Sequence, residues 1–305
     1  MKFPAIEVTT ILERLSAPEG RLSMVLDTDT YNEIDDQFAI VYALFSPDKL
    51  DVQAIYAAPF HNKRSTGPRD GMEKSYQEIL RVLSRIKVAP EGLVHKGSES
   101  FLQAYDTPCR SAAALDLIDR AMRQENDPLY VVAIGALSNV ASAILLEPDI
   151  IKKIVVIWLG GQPLHWPKVD DFNLRQDPLA AQLLLDCGVP LVLLPAYGVT
   201  SQMLSTAPEL DAHLRGHNAI GNYLADIFAE LLRERDAWSK EIWDASAIAY
   251  LINPDWIPTW LVHSPILTDK MTWSFDNSRH LIRIASFVHR DPIFKDMFEK
   301  IRVRG

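Results

Sequence analysis

Five carboxylates lie close together near the start of the chain, at Asp27, Asp29, Glu33, Asp35 and Asp36, directly after a short apolar segment. Carboxylates this close repel one another unless a cation or a positive field balances their charge. A helix N-terminus stabilises a negative charge by only about 0.3–1 kcal/mol, and helix capping explains one or two acids rather than five. Because Ca²⁺ and Mg²⁺ bind carboxylate and carbonyl oxygens, the cluster predicts a hard-cation site. The alternative is that Asp35 and Asp36 cap a helix and Asp27 ends a strand.

The elements that must position this cluster are short apolar runs that alternate with amphipathic segments. Strands are predicted at 22–29, 51–58, 93–95, 129–135, 153–161 and 189–195, and helices at 35–46, 70–86, 111–123, 138–146 and 177–188. This alternation predicts one α/β domain over residues 1–305, with a mainly parallel central sheet flanked by helices. Ligands of such sheets bind beyond the carboxyl ends of the strands, which is where the acidic cluster falls.

The last third of the chain follows a different pattern. It is predicted to be helical from about 206 to 251. A C-terminal β-hairpin is then predicted, with its turn at Asp276-Asn277, followed by a helix over about 291–301.

Composition narrows the class of protein. With 40 Asp and Glu against 31 Lys and Arg, the net charge of −9 argues against sequence-independent binding of nucleic acid, which needs a basic surface. Only two cysteines occur, Cys109 and Cys187, without metal-ligand spacing, which favours a reducing compartment. The first residues lack a continuous apolar core, and the apolar runs are short of a membrane span. We therefore expect a cytoplasmic protein with no membrane contact, and the acidic balance does not exclude a small-molecule substrate or a cation.

The opening motif is similar to that of two families. VLDTDT resembles the start of haloacid dehalogenase-type phosphatases, in which the first Asp, here Asp27, would accept a phosphoryl group. DTDTYNEIDDQFA resembles the DxDPGxDDAxA opening of the inosine-uridine-preferring nucleoside hydrolases.

Later segments favour the second family. Matching residues occur in order along the chain, in blocks at Gly135, Leu137, Ser138 and Asn139, at Gly160-Gly161 (after Leu159 in place of Met), at Asp171, Phe172, Asn173, Asp177 and Pro178, at Val199-Thr200, and at Asp244. These blocks extend the resemblance over about 22–302, whereas the phosphatase interpretation leaves all of them but the first unexplained. The resemblance implies the Rossmann-like nucleoside hydrolase fold and calcium-dependent hydrolysis of the N-glycosidic bond of a ribonucleoside or related ribosyl compound, giving ribose and free base.

The resemblance also implies a metal site. Ca²⁺ would be bound by the carboxylates of Asp29, Asp36 and Asp244 and by the backbone carbonyl of Ser138. Asp29 would in addition be the general base that takes a proton from the attacking water.

The sugar-binding residues are implied in the same way. Asp35 matches the residue that binds the ribose 2′-hydroxyl, and Asp171 and Asn173 match the pair that binds the other hydroxyls. Members of the family are usually homodimers or homotetramers, so the same is expected here.

Three departures from the family pattern concern the site. The loop between Asp29 and Asp35 lacks Pro-Gly and is two residues longer, His165 stands where a sugar-binding Asn is common, and Trp243 replaces the His that precedes the calcium-binding Asp. Tryptophan can stack on a base but donates no catalytic proton. The leaving group must then be activated elsewhere or leave unaided. Two alternative functions stay open. The VLDTDT motif is compatible with a metal-dependent phosphatase that uses Asp27, and Trp243 with the altered loop is compatible with a ribosyl-ligand binding protein that has lost turnover.

Overall fold

The computed structural model describes residues 3–235 and 237–305. The strands of this part are β1 (Leu22–Thr28), β2 (Leu50–Ala57), β3 (Val94–Lys96), β4 (Leu129–Ala133), β5 (Ile154–Leu159), β6 (Leu191–Leu194), β7 (Leu204–Ser205), β8 (Lys240–Glu241), β9 (Thr259–His263), β10 (Ile266–Leu267), β11 (Trp273–Ser274) and β12 (Leu281–Ala285). The helices are α1 (Val8–Arg14), α2 (Asp36–Leu44), α3 (Pro68–Arg85), α4 (Ala112–Met122), α5 (Ser138–Leu146), α6 (Phe172–Gln176), α7 (Pro178–Asp186), α8 (Ala207–Leu214), α9 (Ala219–Leu232), α10 (Ala245–Ile252) and α11 (Arg290–Arg304).

A central sheet of eight strands organises the fold, in the order β3-β2-β1-β4-β5-β6-β12-β9. Every neighbouring pair is parallel except β12 and β9. The chain runs outward from β1 to β2 on one side and continues to β4 on the other, so the strand order reverses between β1 and β4. Ligands of open α/β sheets bind at such a reversal, beyond the carboxyl ends of the strands.

Apolar layers cover both faces of the sheet, as the continuous apolar runs predict. Side chains of successive strand residues point to opposite faces: Met24 and Leu26 pack in one layer with α2, α3 and α8–α11, and Val25 packs in the other with α4, α5 and α7. The predicted mainly parallel α/β fold is confirmed. Within the described residues, no helix is both long and apolar enough to cross a bilayer.

The predicted hairpin about Asp276-Asn277 is wrong in its pairing. Strand β11 pairs with β10, while β12 pairs with β9 on one side and with β6 on the other. Burial explains the difference. Ile282 and Ile284 are buried where β12 extends the central sheet. Trp273 is also buried, and its indole donates a hydrogen bond to the carbonyl of Gln162 at 3.0 Å, which holds β11 against the loop after β5.

Candidate active site

A pocket lies at the carboxyl ends of β1, β4, β5 and β6, on the side of the sheet where the strand order reverses. Seven of the residues predicted for the site line it: Asp29, Asp35, Asp36, Asp171, Asn173, Trp243 and Asp244. Three chain segments that are far apart in sequence therefore meet at one cavity. The first follows β1, the second follows β5, and the third precedes α10.

Three carboxylates form the tightest part of this pocket. Oxygens of Asp35, Asp36 and Asp244 all lie within 4.8 Å of one another, and the three residues are at most 4% exposed. Thr28 donates a hydrogen bond from its hydroxyl to Asp36 at 2.5 Å. Burial raises the pKa of Asp36 and of Asp244 well above the ordinary range, and the charge of Asp35 raises both further. Burial also raises the pKa of Asp35, to about 6.

Asp29 lies in the same pocket, outside this group of three. It is 1% exposed, and within the part of the chain that the structure describes its Oδ2 has no hydrogen-bond partner. Burial and then the charges of Asp36 and Asp35 raise its pKa well above the ordinary range. Gly135, just after β4, makes room for this side chain, since a Cβ there would lie 3.1 Å from the Asp29 Cγ. The tightest group thus contains Asp35, and the role of Asp29 as a metal ligand, implied by the family resemblance, stays a prediction.

The donor set fits a hard divalent cation. The carboxylates of Asp29, Asp35, Asp36 and Asp244 are buried in one pocket, all of their ligating atoms are oxygen, and one of those oxygens has no hydrogen-bond partner among the described residues. Buried charge of one sign is costly unless it is neutralised by a proton or a cation. Carboxylate oxygens are the ligands of Ca²⁺ and Mg²⁺.

The opposite wall is built by the loop and helix after β5. Asp171 caps α6: it accepts hydrogen bonds from the backbone N–H of Asn173 at 3.0 Å, of Leu174 at 3.3 Å and of Gly161. Burial raises its pKa to about 7, although these donors oppose the shift. Asn173 donates through Nδ2 to the carbonyls of Ile134 at 3.1 Å and Leu159 at 3.0 Å. The amide is thereby fixed, which leaves its Oδ1 as an acceptor for a hydroxyl.

Asp27 does not line the pocket. It is fully buried and accepts a hydrogen bond from Asn139 Nδ2 at 2.7 Å, and burial raises its pKa to about 7. The Oδ1 of Asn139 accepts in turn from the backbone N–H of Ser98 at 2.7 Å. A phosphoryl-accepting nucleophile must contact its substrate, so this geometry argues against a phosphatase that uses Asp27. The residue instead links β1 to the start of α5 and, through Asn139, to the loop after β3.

Two predicted site residues are not brought to the pocket wall. His165 is exposed in the loop after β5 and lies outside the lining residues. Ser138 is buried at the start of α5, and its hydroxyl donates to Asp177 at 2.6 Å. The role of its carbonyl stays a prediction.

The sequence did not single out a basic residue, Lys240, that lies at the rim of the pocket. Lys240 lines the pocket, and its Nζ lies 2.6 Å from Glu33 and 5.5 Å from the ring centroid of Trp243. Burial lowers the pKa of Lys240, but the charges of Asp35 and Glu33 outweigh it and raise this pKa above the ordinary value. A single lysine in a polar stretch carries no sequence signal of such a position; only the meeting of the two loops reveals it.

Aromatic rings complete the rim. Tyr197 is 51% exposed and meets Trp243 edge-on at 5.3 Å between centroids, and Trp166 stacks on Tyr197 at 6.4 Å. Exposure therefore increases from the buried carboxylates at the floor to these rings at the mouth. A polar ring bound at the floor would place an attached flat heterocycle among the aromatic side chains.

Known proteins resemble this chain over most of its length. The family model described as inosine-uridine preferring nucleoside hydrolase matches residues 24–291. The pyrimidine-specific ribonucleoside hydrolase RihA of Klebsiella pneumoniae (strain 342) is 30% identical over 267 residues, which cover 77% of this chain and 80% of that protein.

Solved structures share the fold. The purine-preferring ribonucleoside hydrolase from Gardnerella vaginalis matches with a TM-score of 0.76 at 20% identity, over 92% of this chain and 98% of that one. A plant nucleoside hydrolase matches with a TM-score of 0.72 at 21% identity, over 92% and 99%. The family match over residues 24–291 and the 30% identical relative assign the chain. It belongs to the inosine-uridine preferring nucleoside hydrolase family and is a nucleoside N-ribosyl hydrolase.

Proposed function

We propose that the pocket binds Ca²⁺ and a ribonucleoside and hydrolyses the N-glycosidic bond, giving ribose and the free base. The observation that carries this proposal is the buried part of the pocket, where the carboxylates of Asp29, Asp35, Asp36 and Asp244 share the lining with the polar pair Asp171 and Asn173. Such a floor suits a cation and a polyhydroxylated ring better than it suits an apolar ligand.

The residues that would hold the cation are Asp29, Asp36 and Asp244, with the carbonyl of Ser138. A carboxylate oxygen of Asp35 lies within 4.8 Å of oxygens of Asp36 and Asp244, so Asp35 adds a further negative charge beside the proposed cation. When bound, Ca²⁺ supplies Lewis-acid polarisation and neutralises the carboxylates. The choice of Ca²⁺ over Mg²⁺ rests on the number of carboxylates, since Mg²⁺ is usually bound by one or two.

Asp29 has the role of general base in this proposal. As the bond between C1′ and the base nitrogen breaks, the electron pair goes to the base, and a water oxygen bonds to C1′ while its proton passes to Asp29. The sugar passes through an oxocarbenium-like state. Its positive charge is stabilised by the carboxylates around it, which are held in place before the substrate binds.

Recognition of the sugar falls to three residues. Asp35 would accept a hydrogen bond from the ribose 2′-hydroxyl. Asp171 and Asn173 would form hydrogen bonds with the other hydroxyls. Buried polar groups that lose their partner cost about 1–3 kcal/mol each, so a riboside should be strongly preferred over sugars that lack a hydroxyl.

The test is a reducing-sugar assay over purine and pyrimidine ribonucleosides, with and without a calcium chelator. We expect ribose and free base in equal amounts, loss of activity on chelation, and recovery when Ca²⁺ is added. Nucleoside binding without release of ribose would instead support a binding protein, the outcome that Trp243 would explain.

Two further properties are proposed from the family resemblance. We expect a homodimer or homotetramer, measurable by sedimentation equilibrium, and a cytoplasmic location, measurable by cell fractionation.

A further inference from the structure

Two features that depart from the family pattern meet in space at Lys240. Glu33 belongs to the longer loop between Asp29 and Asp35, and its carboxylate lies 2.6 Å from the lysine ammonium. Trp243 stands in place of the family's histidine, and its ring centroid lies 5.5 Å from the same ammonium. The Trp243 replacement removes a proton donor from the rim of the pocket. The longer loop brings in Glu33, which forms an ion pair with the ammonium of Lys240 there.

The position of Lys240 along the pocket suits contact with the base rather than with the sugar. The proposed sugar-binding residues are at most 7% exposed at the floor, whereas Tyr197 is 51% exposed at the mouth. Lys240 and Trp243 are partly buried between these extremes. A nucleoside whose ribose occupied the floor would direct its base toward Lys240 and Trp243, with the Lys240 ammonium near enough to Asp35 to be influenced by its charge.

The loop that carries Glu33 is held from outside the pocket. Arg64 donates hydrogen bonds to the backbone carbonyls of Glu33 at 3.1 Å and Asn32 at 3.4 Å, and its guanidinium lies over the ring of Tyr31. Asn62 donates to the side chain of Asn32 at 2.6 Å. These contacts fix Glu33, and Glu33 in turn fixes the lysine ammonium at the rim.

Among the described lining residues there is no histidine that could replace the family's proton donor, and Lys240 is the one basic side chain. Tyr197 at the mouth offers only a neutral hydroxyl. His165 is exposed outside the lining. His95 lies on β3, edge-on to Tyr56 and 3.5 Å from Asp116.

We propose that Lys240 is a catalytic residue whose ammonium donates a hydrogen bond to the departing base and stabilises the negative charge that develops on it. This inference rests on the proposed function. The electron pair of the broken C1′–N bond goes to the base, the water oxygen bonds to C1′, and the lysine keeps its protons. The base takes up a proton from solvent after it departs. A charged donor at the developing charge lowers the barrier because it is already oriented when the bond breaks.

The experiment compares substrates that need this help with one that does not. For the wild-type protein and Lys240→Met, kcat/KM is measured with uridine, inosine and a series of substituted phenyl ribosides that ends in nitrophenyl riboside. We expect Lys240→Met to lose about 100-fold or more on uridine or inosine, the scale of a positioned donor, and less than about 3-fold on nitrophenyl riboside. The dependence of log kcat/KM on leaving-group pKa should become steeper for Lys240→Met than for the wild type.

Lys300→Met is the matched control. Lys300 is 14% exposed, lies 2.7 Å from Asp296 and sits over the ring of Tyr42, so it resembles Lys240 in burial and partners but lies outside the pocket. The Lys300→Met variant should show the same ratio of kcat/KM between the nucleosides and nitrophenyl riboside as the wild type. Lys240→Arg should retain part of the uridine or inosine activity, because it retains a charged donor.

Equal losses on all substrates would overturn the inference and leave Lys240 a structural role. If Lys240→Met fails to fold, Lys240→Gln provides the same comparison, and an unchanged dependence on leaving-group pKa would again overturn the inference. A wild-type protein that cleaves none of these substrates in calcium, nitrophenyl riboside included, would instead overturn the proposed function.

Discussion

Replacing Asp244 by asparagine is expected to stabilise the metal-free protein and to remove its response to Ca²⁺. Two charges 4.8 Å apart, the outer limit for this group, repel by about 3 kcal/mol at an effective dielectric constant near 20. Burial and the neighbouring charges raise the pKa of Asp244 well above the ordinary range, so partial protonation relieves part of this repulsion. We therefore expect a net gain of about 1–2 kcal/mol in the metal-free state.

Thermal unfolding in a chelator and in saturating Ca²⁺ measures both effects. For a chain of 305 residues, 1 kcal/mol corresponds to roughly 1.5 °C in Tm. The metal-free variant should melt about 2–3 °C above the metal-free wild type. Ca²⁺ at about 100 times its Kd should raise the wild-type Tm by about 4 °C, from about 2.7 kcal/mol of linkage. It should raise the variant's Tm far less.

Glu78→Gln is the control for loss of a buried carboxylate. Glu78 is 1% exposed, outside the pocket, and is paired with Arg81 and hydrogen-bonded to Gln37 and Tyr223. Its replacement should destabilise the protein by about 1–3 kcal/mol with or without metal, and leave the calcium response intact. The reasoning is refuted if Asp244→Asn lowers the metal-free Tm and gains as much from Ca²⁺ as the wild type.

Three further outcomes are expected. Asp35→Ala should weaken uridine binding by about 1–3 kcal/mol and abolish discrimination against 2′-deoxyuridine; equal kcat/KM for the two substrates in the wild type would contradict the role of Asp35. Trp243→His should narrow the gap in kcat/KM between inosine and nitrophenyl riboside, because it restores a proton donor for the leaving group. An unchanged ratio would show that the residue at position 243 does not act on the leaving group. Burial, and secondly Arg279, lower the pKa of His280 from 6.5 to about 4. The folded state therefore resists protonation of His280, and this residue alone removes roughly 1–2 kcal/mol of stability between pH 7 and pH 5. The buried carboxyls of Asp27 and Asp171, with pKa values raised to about 7, act in the opposite direction. In urea unfolding, His280→Asn should therefore change the stability difference between pH 5 and pH 7 by roughly 1–2 kcal/mol in favour of pH 5; the same pH dependence in both proteins would exclude this role of His280.

The parts of the fold that the sequence predicts are those that depend on local pattern. Segments such as β4 and β5 are buried on both faces, so their apolar runs are continuous and mark a covered parallel sheet. The acids after β1 mark the site because the carboxyl ends of parallel strands meet at one edge. Both inferences need only the order of residue types along the chain.

The parts that the sequence did not predict depend on tertiary contacts. Strand β9 is an edge strand with exposed Trp260 and Leu261, so it lacks the clean alternation that marks a half-buried strand. The predicted hairpin consequently received the wrong partner strand. Lys240 is likewise invisible in the sequence, because its importance comes from Glu33 and Trp243, which approach it only in the folded chain.

The most direct test of the central claim is to follow uridine and inosine by proton NMR in the presence of Ca²⁺ with wild-type protein and Asp29→Asn. The account predicts that the nucleoside anomeric signal is replaced by those of free ribose and free base in a 1:1 ratio. Asp29→Asn nearly preserves size but removes the proton acceptor, so its turnover should fall by about 10²–10⁴, while each nucleoside is still bound. Full turnover by Asp29→Asn, or saturable binding by the wild type with no ribose formed, would contradict the account.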